Sequence, residues 1–318
     1  MSGSILRRKK LNIIKRELPN KVLSPAENND LRMNEPVTII IPAFNEQDGI
    51  GEVLDSIQQL MASEGIEGEI VVVDDGSTDQ TAQAVEARGV ILVQHETNRG
   101  YGATLKTGIR HAKYDLMLIT DADGTYPVEA IPVLLKAVQT CDMAVGARIG
   151  EHVRIPLFRK PAKWMLQKLA NYLAQKKIPD LNSGLRVFRR EIAERFYELF
   201  PEGFSFTITI TMAALTSNYR VKFLPINYYR RKGKSTIRPA RDFLGFLSLI
   251  VRMTVYFNPL RIFLPASLIL FLIGVVKATI DFVRLDHFGV GAAIAVVASF
   301  QILCLGLLAD LIIRRTRL

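Results

Sequence analysis

Two long apolar runs near the end of the chain constrain its fold more than any other feature. One reads from about Ile262 to Ile280, the other from about Val290 to Ile313. Each is close to the ~20 residues that a helix needs to cross a bilayer core, so two transmembrane helices are expected. Lys277 lies near one end of the first run, where its ammonium can snorkel, and Asp310 lies near one end of the second. Arg252 and Arg261 precede the first run, and Arg314, Arg315 and Arg317 follow the second. The link from Asp281 to Gly289 sets Arg284 against Asp281 and Asp286. Such a bias puts both outer flanks, and the large domain upstream, in the cytosol. The expectation is an integral protein of the plasma (inner) membrane. No long apolar stretch follows Arg7, Arg8, Lys9 and Lys10, so no secretory signal is expected.

The 318 residues carry a net charge of +10, and the basic excess begins early. Residues 1–34 read as a basic arm, either a solvated tail or a segment lying on anionic lipid or a neighbouring subunit. From 35 to 237 the pattern is strand and helix in alternation. Strands are expected at Val37–Ile41, Glu69–Val73, Val90–Val93, Asp115–Thr120 and Met143–Gly146, with helices at Gln47–Ala62, Thr81–Arg88 and Ala103–Ala112. Continuous apolar strands between helices predict an α/β domain with a mostly parallel sheet covered on both faces. Over 238–258, Arg238, Arg241, Ser248 and Arg252 fall near one face of an otherwise apolar helix, which reads as lying in the membrane interface. Packing on the soluble domain is the alternative. Residues 260–318 hold the two spans. Cys141, in an expected strand region, and Cys304, in a span, predict neither a disulfide nor a zinc site.

Three strand ends carry acidic residues. Asp121-Ala122-Asp123 follows Leu116–Thr120, Asp74-Asp75-Gly76-Ser77 follows the second strand, and Glu46 follows the first. Ligands of open α/β sheets bind beyond the carboxyl ends of the strands. Hard divalent cations take oxygen ligands and bring phosphate with them. Asp121 and Asp123 therefore read as a site for Mg2+ or Mn2+ with a diphosphate. A carboxylate of Asp74 or Asp75 can accept from a nucleobase or ribose. Pro42 and Ala43 leave room for a flat base whose edge Glu46 is placed to bind. No G-x-G-x-x-G opens a helix after a strand, so a dinucleotide cofactor is not indicated.

These strings resemble a known family. Val37–Glu46, Val71–Thr81, Asn98–Ala103 and Asp121–Pro127 are similar to successive signatures of family 2 inverting glycosyltransferases of the Rossmann-like GT-A fold. Asn182-Ser183-Gly184-Leu185-Arg186 is similar to the S-G-F-R block of polyprenyl-phosphate sugar synthases, which include dolichyl-phosphate mannose synthases and bactoprenol glucosyltransferases. The resemblance covers about residues 36–237, and the spans fit the bacterial glucosyltransferase branch. It implies that Ala43, Glu46 and Asp74 hold the nucleoside, that Asp121 and Asp123 bind the metal, and that Lys106 and Lys234 are suited to diphosphate oxygens. Thr125 stands where mannose synthases carry a glutamine. The nucleophile of this family is a lipid phosphate, held by cations. Arg148 and Arg159 match arginines that cradle it, Lys163 replaces a serine of the mannose synthases, and Ser183 and Arg186 join this acceptor set.

The implied reaction moves one hexose, with inversion, from a nucleotide sugar to polyprenyl phosphate (undecaprenyl phosphate) on the cytosolic face. The two-span topology leans toward UDP-glucose, with GDP-mannose as the alternative. A processive polysaccharide synthase would carry Q-x-x-R-W, which this sequence lacks. A nucleotide-sugar-binding protein without turnover is the third reading. No nucleic-acid partner is expected. Gly291, Ala295 and Ser299 form a small-residue face that predicts close helix approach in a homo-oligomer, a tetramer by resemblance.

Overall fold

The computed structural model describes residues 35–149, 160–203, 205–229, 251–252, 254–285, 287 and 289–316, without the side chains of 160–166, 285, 314 and 316. Its centre is β1 (Val37–Ala43), seven residues that are all buried. The sequence Val-Thr-Ile-Ile-Ile suits this place because β-branched side chains pack well on a pleated surface. Around it run α1 (Ile50–Glu64), β2 (Gly68–Asp74), α2 (Thr81–Glu86), β3 (Ile91–Gln94), α3 (Tyr101–His111), β4 (Leu116–Ile119), α4 (Ala130–Val138) and β5 (Met143–Arg148). Then follow α5 (Lys160–Ala174), β6 (Arg186–Arg189), α6 (Arg190–Arg195), α7 (Phe206–Thr216) and β7 (Val221–Ile226). The expected elements up to β5 are present, with ends shifted by a few residues. Cys141 precedes β5 in a turn rather than lying in a strand.

The sheet has seven strands in the order β3-β2-β1-β4-β6-β5-β7. The strand β6 is antiparallel to both its neighbours, while the other pairs are parallel. Two consequences follow for the site. The chain order reverses between β1 and β4, which makes their carboxyl ends a topological switch point. Because β6 runs the other way, its first residue, Arg186, pairs with Ile119 at the end of β4 and with Val145 near the end of β5. The turn leading into β6 therefore lies on the same edge as the acidic strand ends.

Helices α8 (Leu260–Leu285) and α9 (Val290–Thr316) form an antiparallel pair. Both are long and apolar enough to cross a membrane. Leu268, Ile269, Leu272, Ile273, Leu305 and Leu308 are exposed. At ~1.5–3 kcal/mol per side chain removed from water, such a surface favours an apolar surrounding. The first helix runs past the expected link: Asp281 is helical and accepts from Lys277 Nζ at 3.1 Å.

The small-residue face lies partly against the other helix of the pair. Ser299 and Ala292 are buried, a side chain at Gly291 would press on Lys277, and one at Gly274 would meet Ala295 and Val296. Ser299 is enclosed within the hairpin of one chain, Ala295 is half-buried and Gly291 is exposed. The interfacial segment 238–250, the arm 1–34 and residues Arg159 and Lys234 lie outside the described residues, as does the side chain of Lys163.

Candidate active site

The loops after β1 and β2 are fastened to each other. Asn45 takes a left-handed backbone (φ 53°), which asparagine tolerates. Its N–H donates to Ser77 Oγ, its Oδ1 accepts from the Thr78 N–H, and the Glu46 N–H donates to Thr81 Oγ1, each at 2.9 Å. Pro42 and Ala43 are buried in β1, while Phe44 and Asn45 are exposed and Glu46 is half-buried. The surface offered to a base at this point is therefore that of Phe44 to Glu46.

The two adjacent aspartates separate. Asp74 accepts from the Ser77 N–H at 3.1 Å, from the Ser77 hydroxyl and from Gln94 Nε2 at 3.4 Å, closing the loop on itself. Asp75 points into the protein, 3% exposed. It accepts the Arg99 and Gly100 N–H groups at 2.9 and 2.8 Å and meets His95 Nδ1 at 2.7 Å. Burial pushes its carboxyl upward, but these bonds outweigh it and hold it below the ordinary aspartate range. His95 Nε2 in turn meets Thr107 Oγ1 at 2.9 Å. Asp75, expected beside the nucleotide, pins the Asn98–Gly100 loop onto α3 in this structure. The Lys106 ammonium, expected at the diphosphate, lies 3.5 Å from the Phe200 carbonyl and over the Tyr197 ring.

The chain leaves β4 at Ile119 and turns at once. Asp121 accepts from the Tyr101 hydroxyl at 3.1 Å. Gly184 lies so close that a Cβ there would stand 2.9 Å from both Asp121 carboxylate oxygens. Asp123, 7% exposed, sits in a turn ending at Gly124 (φ 68°), and its Oδ1 accepts from the Thr125 N–H at 3.1 Å and hydroxyl at 2.7 Å. Ala122 is buried between them, and its carbonyl oxygen would be 3.3 Å from a Cβ at Gly49, beside α1. The two carboxylates therefore reach the switch point from a turn, with different neighbours, rather than from one strand face.

At the end of β5, Arg148 and Asp180 form a bidentate pair, Nε to Oδ2 at 2.7 Å and Nη2 to Oδ1 at 3.0 Å. The Arg148 N–H also donates to Asp180 Oδ2 at 3.0 Å, and the guanidinium lies over the Tyr228 ring. Burial disfavours the charge on Arg148, but Asp180 outweighs it and keeps the arginine fully protonated. Burial likewise raises Asp180, and Arg148 brings it below the ordinary range.

Ser183 and Arg186 are fully enclosed. The Ser183 hydroxyl donates to the Gly146 carbonyl. Arg186 donates to the Thr207 carbonyl at 3.1 Å, to Thr211 Oγ1 at 3.0 Å and to the Ser183 carbonyl. Desolvation pulls its guanidinium down to about 10, so it stays charged at neutral pH, with Tyr101, Tyr126, Asp180 and Asp121 opposing the shift. Both residues expected in the acceptor set thus lie beneath the surface of the site in this structure.

Sequence reasoning passed over His95, Tyr101, Tyr126, Asp180 and Tyr228. Tyr126 OH accepts the Gly184 N–H at 2.6 Å and its ring meets Tyr228 edge-on. Burial, then the Asp121 charge, raise both Tyr101 and Tyr126 well above the ordinary tyrosine range, so both hydroxyls stay protonated. Tyr101 and Tyr126 lie within the strings Asn98–Ala103 and Asp121–Pro127, and Asp180 stands three positions before Ser183.

The donor set suits a divalent cation. Asp121 and Asp123 are hard oxygen donors, and no group of three or more His, Cys, Asp or Glu able to hold a metal occurs among the described residues. Two carboxylates completed by phosphate and water are what Mg2+ favours.

An acidic switch point on a mixed, mostly parallel seven-stranded sheet defines a GT-A glycosyltransferase. The chain belongs to glycosyl transferase family 2, whose model matches residues 38–196, and residues 258–314 match the GtrB C-terminal hairpin. It is 27% identical over 284 residues to the low-salt glycan biosynthesis hexosyltransferase Agl6 of Haloferax volcanii, covering 85% of this chain and 67% of that protein. With the dolichol-phosphate mannosyltransferase of Pyrococcus furiosus it shares 30% over 232 residues, covering 68% and 63%. The fold is also that of glucosyl-3-phosphoglycerate synthase from Mycobacterium tuberculosis, crystallised with Mn2+, UDP and phosphoglyceric acid (TM-score 0.57, 19% identity, 70% and 80% covered).

Proposed function

We propose that this glycosyltransferase moves a single hexose from a nucleotide sugar, with UDP-glucose the favoured donor, to the phosphate of a polyprenyl lipid at the cytosolic membrane face. The observation that carries the reading is one edge of one sheet. Asp121 and Asp123 follow β4 there, and Arg148 ends β5 there, in a chain that continues into an apolar hairpin. Acidic and basic groups on one edge suit a reaction between two phosphorylated partners. The hairpin suits an acceptor that never leaves the bilayer.

A divalent cation held by Asp121 and Asp123 would neutralise the departing diphosphate, in keeping with the Mn2+ and UDP of the mycobacterial structure. The chain's own groups do the rest. Asn45 and Glu46, fixed by the second loop, orient the nucleoside. Tyr101 holds the Asp121 carboxylate in place. Arg148 draws the acceptor phosphate in, helped by Arg159 and Lys163. A phosphate monoester has its second pKa near ~6 and is mostly dianionic at neutral pH, so it attacks without a strong general base. Positioning and charge compensation carry the rate, and a single displacement inverts the anomeric centre.

The two-span topology, which by resemblance fits the bacterial glucosyltransferase branch, favours UDP-glucose, and the Pyrococcus mannosyltransferase relative keeps GDP-mannose as the alternative. The test supplies radiolabelled UDP-glucose or GDP-mannose, undecaprenyl phosphate and Mn2+ to the full chain in detergent. Label from UDP-glucose is expected in the lipid phase. Label from GDP-mannose alone would move the donor assignment. No lipid-phase label from either would remove the reading.

A further inference from the structure

The segment from Asp180 to Arg186 touches both halves of the site. At one end Asp180 grips Arg148 through three hydrogen bonds. In the middle, Ser183 holds the Gly146 carbonyl of β5, and Gly184 lies against the Asp121 carboxylate with its N–H on Tyr126. At the far end Arg186 ties the Ser183 carbonyl to α7. Asp180 itself is 3% exposed, and its Oδ1 also accepts the Asn182 N–H at 3.1 Å, which fixes the carboxylate to its own turn. A long arginine at a strand end has several rotamers. Here two of its guanidinium nitrogens are committed to a carboxylate that is itself held by the Asn182 N–H, while its side chain remains 21% exposed.

We infer that Asp180 is a positioning residue for the acceptor: it fixes the Arg148 guanidinium at a set distance from Asp121, so that the turn 180–186 acts as a spacer between the lipid phosphate and the donor diphosphate. The inference rests on the reading of Arg148 as an acceptor-phosphate group. It adds that the acidic partner, which never touches substrate, sets where that phosphate lies. A carboxylate that only neutralised Arg148 would weaken acceptor binding. One that holds it in place strengthens binding, because the ordering is complete before the lipid arrives.

The test uses the full chain in detergent and four variants: Arg148→Ala, Asp180→Asn, Asp180→Glu and the double variant Arg148→Ala/Asp180→Asn. Three quantities are read: KM for undecaprenyl phosphate, KM for the nucleotide sugar, and calorimetric affinity for UDP with Mn2+. Asp180→Asn is expected to raise the acceptor KM about tenfold, as for loss of one charge-assisted bond, with donor KM and UDP affinity changed less than twofold. Asp180→Glu should recover part of the loss. The double variant should be no worse than Arg148→Ala, because Asp180 acts through Arg148. If Arg148→Ala raises the acceptor KM and Asp180→Asn does not, or lowers it, the spacer role is overturned and the reading of Arg148 stands. If neither moves it, both fall. Equal losses in donor and acceptor parameters would show a merely structural aspartate. Should Asp180→Asn not fold, Asp180→Glu alone decides: a raised acceptor KM with unchanged UDP affinity supports the spacer, and parallel changes overturn it.

Discussion

The donor half of the sheet edge and its acceptor half are built differently. Around β1 and β2 the outer loops are joined to each other by neutral, mostly exposed hydrogen bonds between side chains and backbone, as at Asn45, Ser77 and Thr78, with the buried Asp75 and His95 behind them. Around β4, β5 and β6 the supports are buried and charged: Arg148 with Asp180, Arg186 beneath Ser183, Tyr101 on Asp121. The first kind of loop adapts at little cost, since an exposed hydrogen bond exchanges with water for ~1 kcal/mol. The second is stiff, because a buried charge that loses its partner costs several kcal/mol. A nucleotide with many contacts tolerates the first. A lipid phosphate held by a few cations needs the second.

The largest effect should come from the residues where the halves meet. Asp123→Ala is expected to lower the transfer rate about 10^3-fold, in the range seen when one group aimed at developing charge is removed, measured as label entering the lipid phase. Retained transfer would take Asp123 out of the donor site. Next is the buried cation. Arg186→Met removes the guanidinium donor from the Ser183 carbonyl and one of the two side-chain donors on the Thr207 carbonyl and should cost about 1–3 kcal/mol. Chemical unfolding measures it, and a loss below 1 kcal/mol would show that the acceptor half is not held by charge.

Acid should separate the halves less sharply. Asp75 and Asp180 both have carboxyls held below the ordinary range in the folded protein. Each therefore stabilises the fold above its unfolded value of ~3.9, and the contribution is lost as pH falls through the folded value. Unfolding temperature should decline on acidification below about pH 4. Asp180→Asn should decline less steeply than the parent, and an identical slope would deny the pair its share. The smallest effect is expected at Lys106. Its ammonium is committed to Phe200 and Tyr197, so Lys106→Ala should leave UDP–Mn2+ affinity by calorimetry within twofold. A tenfold loss would return it to the diphosphate.

Much of the donor half was legible in the sequence. Apolar runs such as Val-Thr-Ile-Ile-Ile bury themselves wherever they lie, and the acidic strings at their ends mark the edge that binds ligands. Which charged side chains turn inward was not. In Asp74-Asp75 the residue type does not say which carboxylate turns inward; the neighbouring His95 and the Arg99 and Gly100 amides decide that. Arg186 reads as one more basic residue in a basic stretch, and only its pairing at the head of an antiparallel β6 puts it in the core. Phe206–Thr216 alternates threonine with apolar residues at a strand-like period, yet it is a helix enclosed over nearly its whole length. Its threonines satisfy themselves on backbone carbonyls four residues back, as Thr211 does on Thr207 at 2.7 Å.

The sequence by itself determined the class of fold, the edge of the sheet that carries chemistry, and the two membrane-length helices. Each follows from local periodicity and from the large cost of leaving apolar side chains in water. The tertiary structure alone decided which charged groups face substrate and which support them from below. Direction depends on partners distant in the chain: Asp180 for Arg148, Gly184 for Asp121, and α7 for Arg186. It also decided that Ser299 packs within one hairpin, since a small side chain favours close approach without choosing the neighbour that approaches.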